Sequence, residues 1–139
     1  KENLKNAQVI EIDLNIINDL KSEIDAFEVG KLIDLKNIYH THDIEKIDND
    51  YLISASENGY LISYKNLSIL KKLPIWTRGI STSKEYIFVG KSGVASRKLR
   101  HSRYYDGKIS ILDRKTFNLV KELDIPRIGQ LNDILYYED

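Results

Sequence analysis

The most informative stretch of the sequence is Trp76-Thr-Arg-Gly-Ile-Ser-Thr-Ser-Lys-Glu-Tyr-Ile-Phe-Val-Gly90, a polar approach loop followed by two short predicted strands with a tight turn between them. Two other segments align with its first five residues: His40-Thr-His-Asp-Ile44 and Gln130-Leu-Asn-Asp-Ile134. Each opens a new predicted strand directly after another predicted strand. A pattern that recurs in this way predicts a repeated structural unit.

Alternation of apolar and polar residues predicts four consecutive strands in each of two units. The predicted strands span residues 43–47, 51–56, 60–64 and 68–73 in the first unit, and 79–82, 85–90, 108–112 and 119–125 in the second. Glu57-Asn-Gly59 predicts a hairpin turn, because Asn-Gly supplies the positive φ angles that two-residue hairpin loops need. A third unit opens at Gln130 with about one strand. Before the first unit, strands at 8–14 and 31–36 flank a short amphipathic helix predicted over 15–28.

The spacing of the units indicates an insertion. Asp43 and Gly79 are 36 residues apart, whereas Gly79 and Asp133 are 54 apart. We assign the difference to residues 91–106, between the second and third strands of the second unit. Four-stranded units at this spacing predict an all-β fold built from β-propeller blades. A β-sandwich also has many short strands, but it does not account for the matching junctions.

The predicted blades divide a single partial propeller domain over residues 1–139 into segments 8–38, 39–74, 75–127 and 128–139. Two complete blades are too few to close a ring, since propellers have at least about four. The sequence also contains no Met, and hence no start residue. We therefore expect an excerpt of a longer protein; the alternative is that copies of the chain associate to complete the ring.

Composition excludes several classes of function. Lys plus Arg and Asp plus Glu both number 21, so no global charge favours nucleic acid or an anionic membrane. The absence of Cys excludes disulfides and thiolate chemistry. No signal peptide or membrane-spanning run is present, and we expect a soluble, cytoplasmic protein. No phosphate loop, nucleophile elbow or zinc-protease motif occurs, so we predict no catalytic residue, metal ligand or cofactor.

Candidate binding residues follow from strand parity. In an antiparallel four-stranded unit, the link to the next unit and the link between the second and third strands emerge at the same edge. The insertion at this edge is rich in Arg and Tyr, which suit an anionic or sugar-like ligand. The alternative is that its arginines pair with acidic residues of an adjacent blade. The predicted ligand-binding residues are His40, His42, Trp76, Arg78, Arg97, Arg100, Arg103 and Asn132.

His40, His42 and Asp43 could also suggest a metal site. In an extended segment, however, the two histidines point one way and Asp43 points the other. We therefore favour a structural role for Asp43 as a tie at the blade junction. Trp76 has two interpretations as well, ligand stacking and packing.

Four short motifs occur in order between residues 76 and 134: Trp76-Thr-Arg-Gly-Ile80, Tyr86-Ile-Phe-Val-Gly-Lys-Ser92, Gly107-Lys-Ile-Ser-Ile-Leu-Asp113 and Asn132-Asp-Ile134. Together with the arginine-bearing loop after the second motif, they resemble the closing blades of an uncharacterised bacterial family of propeller-like proteins. The resemblance implies a six- or seven-bladed scaffold, in some members linked to glycan or secondary metabolism. WD-repeat propellers are similar in architecture only, since no Trp-Asp dipeptide ends a strand.

The leading functional hypothesis is a ligand- or partner-binding propeller module that takes an anionic small molecule or glycan at its channel face. One alternative is a hydrolase or lyase acting on a sugar-derived or lactone substrate. Another is a purely structural domain that binds a protein partner. Nucleic acid is disfavoured, because one basic loop is a small footprint for it.

Overall fold

The computed structural model describes residues 6–12, 30–74, 76–93 and 105–137. This part of the chain contains ten strands and no helix, which confirms the all-β class. The strands are β1 (Ala7–Glu11), β2 (Lys31–Leu35), β3 (Thr41–Ile47), β4 (Asp50–Ala55), β5 (Tyr60–Ser63), β6 (Ile69–Lys72), β7 (Thr77–Thr82), β8 (Tyr86–Ser92), β9 (Gly107–Asp113) and β10 (Leu119–Ile125). The helix predicted over 15–28 lies outside the described residues.

The chain divides into two compact units, residues 1–39 and 40–139. In the first unit, β1 and β2 form an antiparallel pair with Ala7 opposite Leu35 and Glu11 opposite Lys31. The Asn6 side-chain oxygen accepts a hydrogen bond from the Asn37 backbone at 3.0 Å. This bond fixes the chain where it leaves β2.

The second unit holds two four-stranded antiparallel sheets, β3-β4-β5-β6 and β7-β8-β9-β10, in which sequential strands are neighbours. None of the sheets described here is closed on itself. The core lies between the two, because its buried apolar side chains come from both. Its members are Ile47, Leu52, Leu61 and Leu73 from the first sheet region, and Ile80, Ile87, Val89 and Leu112 from the second. Burial of side chains of this size stabilises the fold by about 1.5–3 kcal/mol each.

The same backbone conformations occur at corresponding points of the two sheets. His40 and Trp76, one residue before β3 and β7, have φ angles of 52° and 64°. Leu67 and Phe117, in the turns before β6 and β10, have φ angles of 50° and 56°. Non-glycine residues enter this left-handed region infrequently, so the coincidence at aligned positions is informative.

The connection between β4 and β5 is the predicted hairpin, one residue longer than expected. β4 ends at Ala55 and β5 begins at Tyr60, so the turn spans the four residues 56–59 rather than 57–59. In this loop only Gly59 has a positive φ, of 67°. Ser56 belongs to the loop because its backbone bonds to residues other than those of β5: its N–H donates to the His40 carbonyl, and its carbonyl accepts from the Gly59 and Trp76 N–H groups.

Two further boundaries differ from the predictions. Lys91 and Ser92 pair with Lys108 and Gly107 as the end of β8, so the insertion is shorter than predicted and spans residues 93–106. The strand expected after Gln130 is absent from the described residues 131–137. The backbone of this segment bonds to side chains rather than to a strand: the Leu131 N–H donates to the Ser92 hydroxyl and the Tyr136 N–H to the Ser81 hydroxyl.

Candidate functional site

The backbone beside the candidate site is held by a series of hydrogen bonds that crosses both sheets. Ser56 N–H donates to the His40 carbonyl at 3.0 Å, and Trp76 N–H donates to the Ser56 carbonyl at 2.7 Å. Ser92 N–H then donates to the Trp76 carbonyl at 3.0 Å. These bonds over-determine the backbone at Trp76 and so sustain its left-handed conformation.

Arg78, on β7, is almost completely buried, with 6% of its surface exposed. The hydrogen-bond network orients the amide of Gln130 with its oxygen toward the guanidinium. In this orientation the oxygen lies 3.0 Å from Nε and 2.5 Å from each terminal nitrogen of Arg78, in direct polar contact with the guanidinium. A buried cation needs hydrogen-bond partners to offset its desolvation, and Gln130 supplies part of that requirement. The guanidinium is therefore held against Gln130.

A small cleft, which we call the Arg78 cleft, surrounds this group. Its lining residues come from the start of β7 and the residue before it, the end of β8, the residues on either side of the insertion and the segment after β10; they are Trp76, Arg78, Ser92, Gly93, Tyr105, Gly129 and Gln130. Its internal volume of about 20 Å³ accommodates about one water molecule. A larger ligand would therefore bind at the mouth of the cleft.

Strand parity predicts that Trp76 and Arg78 lie at the same edge of the second four-stranded unit. In the structure both residues line the Arg78 cleft. Asn132 is exposed, and its side-chain oxygen lies 3.3 Å from the Gln130 amide. The predicted residues Arg97, Arg100 and Arg103 lie outside the described residues. The described residues on either side of these arginines are Gly93 and Tyr105, and both line the cleft.

The two remaining predicted residues do not line the Arg78 cleft. His40 Nε2 lies 3.2 Å from a Glu57 carboxylate oxygen, and about half of the His40 side chain is exposed. His42 is exposed as well. Within the described ranges, no group of three or more His, Cys, Asp or Glu side chains is arranged to hold a metal ion.

Asp43 ties the two sheets together, which confirms the structural role predicted for it. Its Oδ2 accepts from the Ile80 N–H at 2.5 Å and its Oδ1 from the Ile44 N–H at 2.8 Å. Gly79 occupies the aligned position in the second sheet. A Cβ there would lie 2.6 Å from the Ile134 nitrogen, so the following segment packs directly against the glycine backbone.

Sequence reasoning missed the role of Ser92. Its hydroxyl donates to the Leu131 carbonyl at 3.0 Å and accepts from the Leu131 N–H at 2.8 Å. Ser56, the aligned serine, donates to the carbonyl of Thr77, the residue aligned with Leu131. The 36-residue spacing of the two serines was the available signal. Ser92 holds the segment that carries Gln130 against the Arg78 cleft.

Lys91, next to Ser92, was also missed. Its ammonium is buried and forms an ion pair with Glu122 on β10, and the Ser110 hydroxyl donates to the same carboxylate at 3.2 Å. The hydrogen bond from Lys91 is the largest cause of a pKa of Glu122 below its usual value. The charge of Lys91 is thus compensated within its own sheet. Among the described residues that line the cleft, Arg78 is the cationic one.

No protein-family model, curated protein or solved structure matches this chain. In the part of the chain that the structure describes, no helix has the length and apolar character needed to cross a membrane. Functional inference therefore rests on the geometry of the two sheets and their clefts.

Proposed function

We propose that β3–β6 and β7–β10 are consecutive blades of a β-propeller, of the propeller-like family that residues 76–134 resemble, and that the Arg78 cleft binds an anionic ligand. The observation that carries the proposal is the convergence of Trp76, Arg78 and Gln130 where the basic insertion leaves the sheet. The ligand is a small molecule or glycan bearing a carboxylate, sulfate or phosphate.

Contacts between successive first strands support the propeller arrangement. The Thr82 hydroxyl on β7 donates to Glu45 on β3 at 3.2 Å. The Tyr136 N–H in the last segment donates to the Ser81 hydroxyl on β7 at 2.9 Å. β7 thus contacts β3, and the last segment contacts β7, at corresponding positions, as the inner elements of successive blades do around a propeller channel.

The chemistry of the Arg78 cleft supports an anion. A guanidinium is planar, permanently charged and suited to bidentate contact with carboxylate or phosphate. Trp76 and Tyr105 line the same cleft and offer aromatic faces to a sugar ring. The sequence that joins Gly93 to Tyr105 carries Arg97, Arg100 and Arg103, residue types that suit an anion. The hydrolase or lyase alternative has weaker support, because the two channel histidines do not line this cleft.

The test uses the fluorescence of Trp76, the only tryptophan in the chain, as a reporter of the cleft. The probes are glucuronate, inorganic phosphate and glucose, the last being a neutral match for glucuronate. We expect glucuronate or phosphate to change the fluorescence in a saturable manner and glucose to have no such effect. In Gln130→Glu, an internal carboxylate competes for Arg78, and affinity should fall about tenfold.

The control is Gln8→Glu, which makes the same change of charge at an exposed residue of the other compact unit. It should bind like the wild type. Equal affinity of Gln130→Glu and wild type, or equal weakening by Gln8→Glu, would contradict a site at Arg78. Equal binding of glucose and glucuronate would contradict anion recognition.

A further inference from the structure

A second, larger groove lies at the opposite edge of the two four-stranded sheets. It is bounded by the four turns that join β3 to β4, β5 to β6, β7 to β8 and β9 to β10. Because successive connections of an antiparallel sheet alternate between its edges, these turns are remote from the Arg78 cleft. The volume of the groove is about 640 Å³, within the range of about 300–1,000 Å³ typical of small-molecule sites.

The floor of the groove is apolar and continuous with the core. Ile47 and Leu52 are buried core residues, and Leu70 and Phe117 pack against them. Phe117 is held at a φ of 56°, whereas Leu67, at the corresponding turn of the first sheet, has nearly the same φ but an exposed side chain. The turn of the second sheet therefore directs an aromatic side chain into the space between the sheets.

One wall of the groove is fixed by Arg114. Its guanidinium donates to Asp48 at 2.8 Å and also to the Ser83 carbonyl. These bonds link the β9–β10 turn to the β3–β4 and β7–β8 turns, so three of the four boundary turns are connected. The charge of Asp48 is at the same time compensated.

The second carboxylate in the groove, that of Asp50, also has its hydrogen-bond partners within the chain. It accepts from the Tyr51 N–H at 2.7 Å, the Lys65 N–H at 2.8 Å and the Ser63 hydroxyl at 2.5 Å. Burial raises the pKa of Asp50, but these hydrogen bonds and the nearby charge of Lys65 outweigh it, so its pKa lies below the usual value. This carboxylate has its oxygens engaged and is poorly placed to bind an external cation.

The remaining charges of the groove are positive. Lys65, Lys84 and Lys115 line it and are exposed, and none of them forms an ion pair with a described residue. We propose that this groove binds a small amphipathic carboxylate, with its ring or chain against Leu70 and Phe117 and its anionic group among the three ammonium groups. The apolar floor requires an apolar body, and the cationic rim requires a negative charge.

The test is an NMR titration of the full chain with 2-naphthoate, using backbone amide shifts to locate binding and 2-naphthalenemethanol as the neutral comparison. We expect 2-naphthoate to shift amides of the four boundary turns, including that of Phe117, and to bind more tightly than the alcohol. Shifts confined to the Arg78 cleft, no saturable shifts, or equal binding of the alcohol would each overturn the proposal.

Two variants test the contacts separately. Lys84→Gln with Lys115→Gln should weaken 2-naphthoate about tenfold, as expected for two exposed charge contacts. The control, Lys36→Gln with Lys121→Gln, makes the same change of charge at exposed lysines outside the groove and should leave affinity unchanged. Equal weakening by both pairs would overturn the rim contact.

The second variant, Phe117→Leu, tests the apolar floor. Leucine adopts this left-handed turn conformation at Leu67, so the substitution reduces the aromatic surface at a φ that leucine already tolerates in this fold. Loss of an aromatic contact should weaken 2-naphthoate about three- to tenfold. Unchanged affinity would overturn the placement of the ring against Phe117.

Discussion

Removal of the Asp43 carboxylate tests whether one side chain joins the two four-stranded sheets. In Asp43→Ala, the Ile80 N–H loses an acceptor at 2.5 Å in a place where Ile80 is only 3% exposed. A hydrogen bond to a charged group contributes about 1.5–3 kcal/mol, and a buried donor left without an acceptor is costly. The bond to Ile44 is local and exposed, and adds little. We expect a loss of about 2–3 kcal/mol in the free energy of unfolding.

The assay is urea unfolding followed by Trp76 fluorescence, which reports on the larger unit. Asp133→Ala is the matched control, because among the described residues the aligned carboxylate accepts from the exposed Ile134 N–H alone, at 2.7 Å. It should cost less than about 1 kcal/mol. Asp43→Asn keeps one acceptor oxygen and should be intermediate. If Asp43→Ala unfolds at the wild-type urea concentration, or if both alanine variants lose the same free energy, the reasoning is refuted.

Two further outcomes follow from the sheets. Gly59→Ala should destabilise the fold by about 2 kcal/mol or more, since alanine is strained at a φ of 67° and its Cβ would overlap the Leu73 carbonyl; an unchanged urea midpoint would contradict this. Because Lys91 lowers the pKa of Glu122 in the folded state, their stabilisation is complete above the ordinary value of 4.5 and is lost as pH falls through the lowered folded pKa. The stability difference between wild type and Glu122→Gln, from urea unfolding at several pH values, should therefore shrink on acidification, and a constant difference would refute the linkage.

The strands were the most predictable part of the structure. Alternation of apolar and polar residues predicted 119–125 with the bounds of β10, and it placed 108–112 inside β9. The hairpin at Glu57-Asn-Gly59 was predicted one residue too short, because a positive φ at one glycine suits loops of several lengths, and the hydrogen bonds of Ser56 to His40 and Trp76 place Ser56 in the loop. These hydrogen bonds join residues that are distant in the chain, so the local sequence cannot predict them.

The candidate sites were less predictable, for physical reasons. Trp76 lies just before β7 and Arg78 lies near its start. Strand parity alone therefore predicted that both residues are at the same edge of the sheet. The orientation of Gln130 depends on Ser92, which holds its segment from 39 residues away. Composition cannot identify the ion pair between Lys91 and Glu122. The chain has 21 basic and 21 acidic side chains, and which of them pair depends on how the strands are arranged in the sheet. The larger groove was not predicted, since it exists only once the turns of two sheets are adjacent.

The register at the end of β8 has a consequence for how this fold can change. Ser92 and Gly107 are directly opposite each other, so the fourteen-residue connection between them starts and finishes at the same point of the sheet. The other sheet closes the corresponding gap with residues 56–59. Loop-closure entropy rises only logarithmically with length, and the difference amounts to about 1 kcal/mol. Evolution or protein design can therefore replace this connection with one of different sequence or length. Such a replacement changes the residues that border the Arg78 cleft and leaves the pairing of β8 with β9 unchanged.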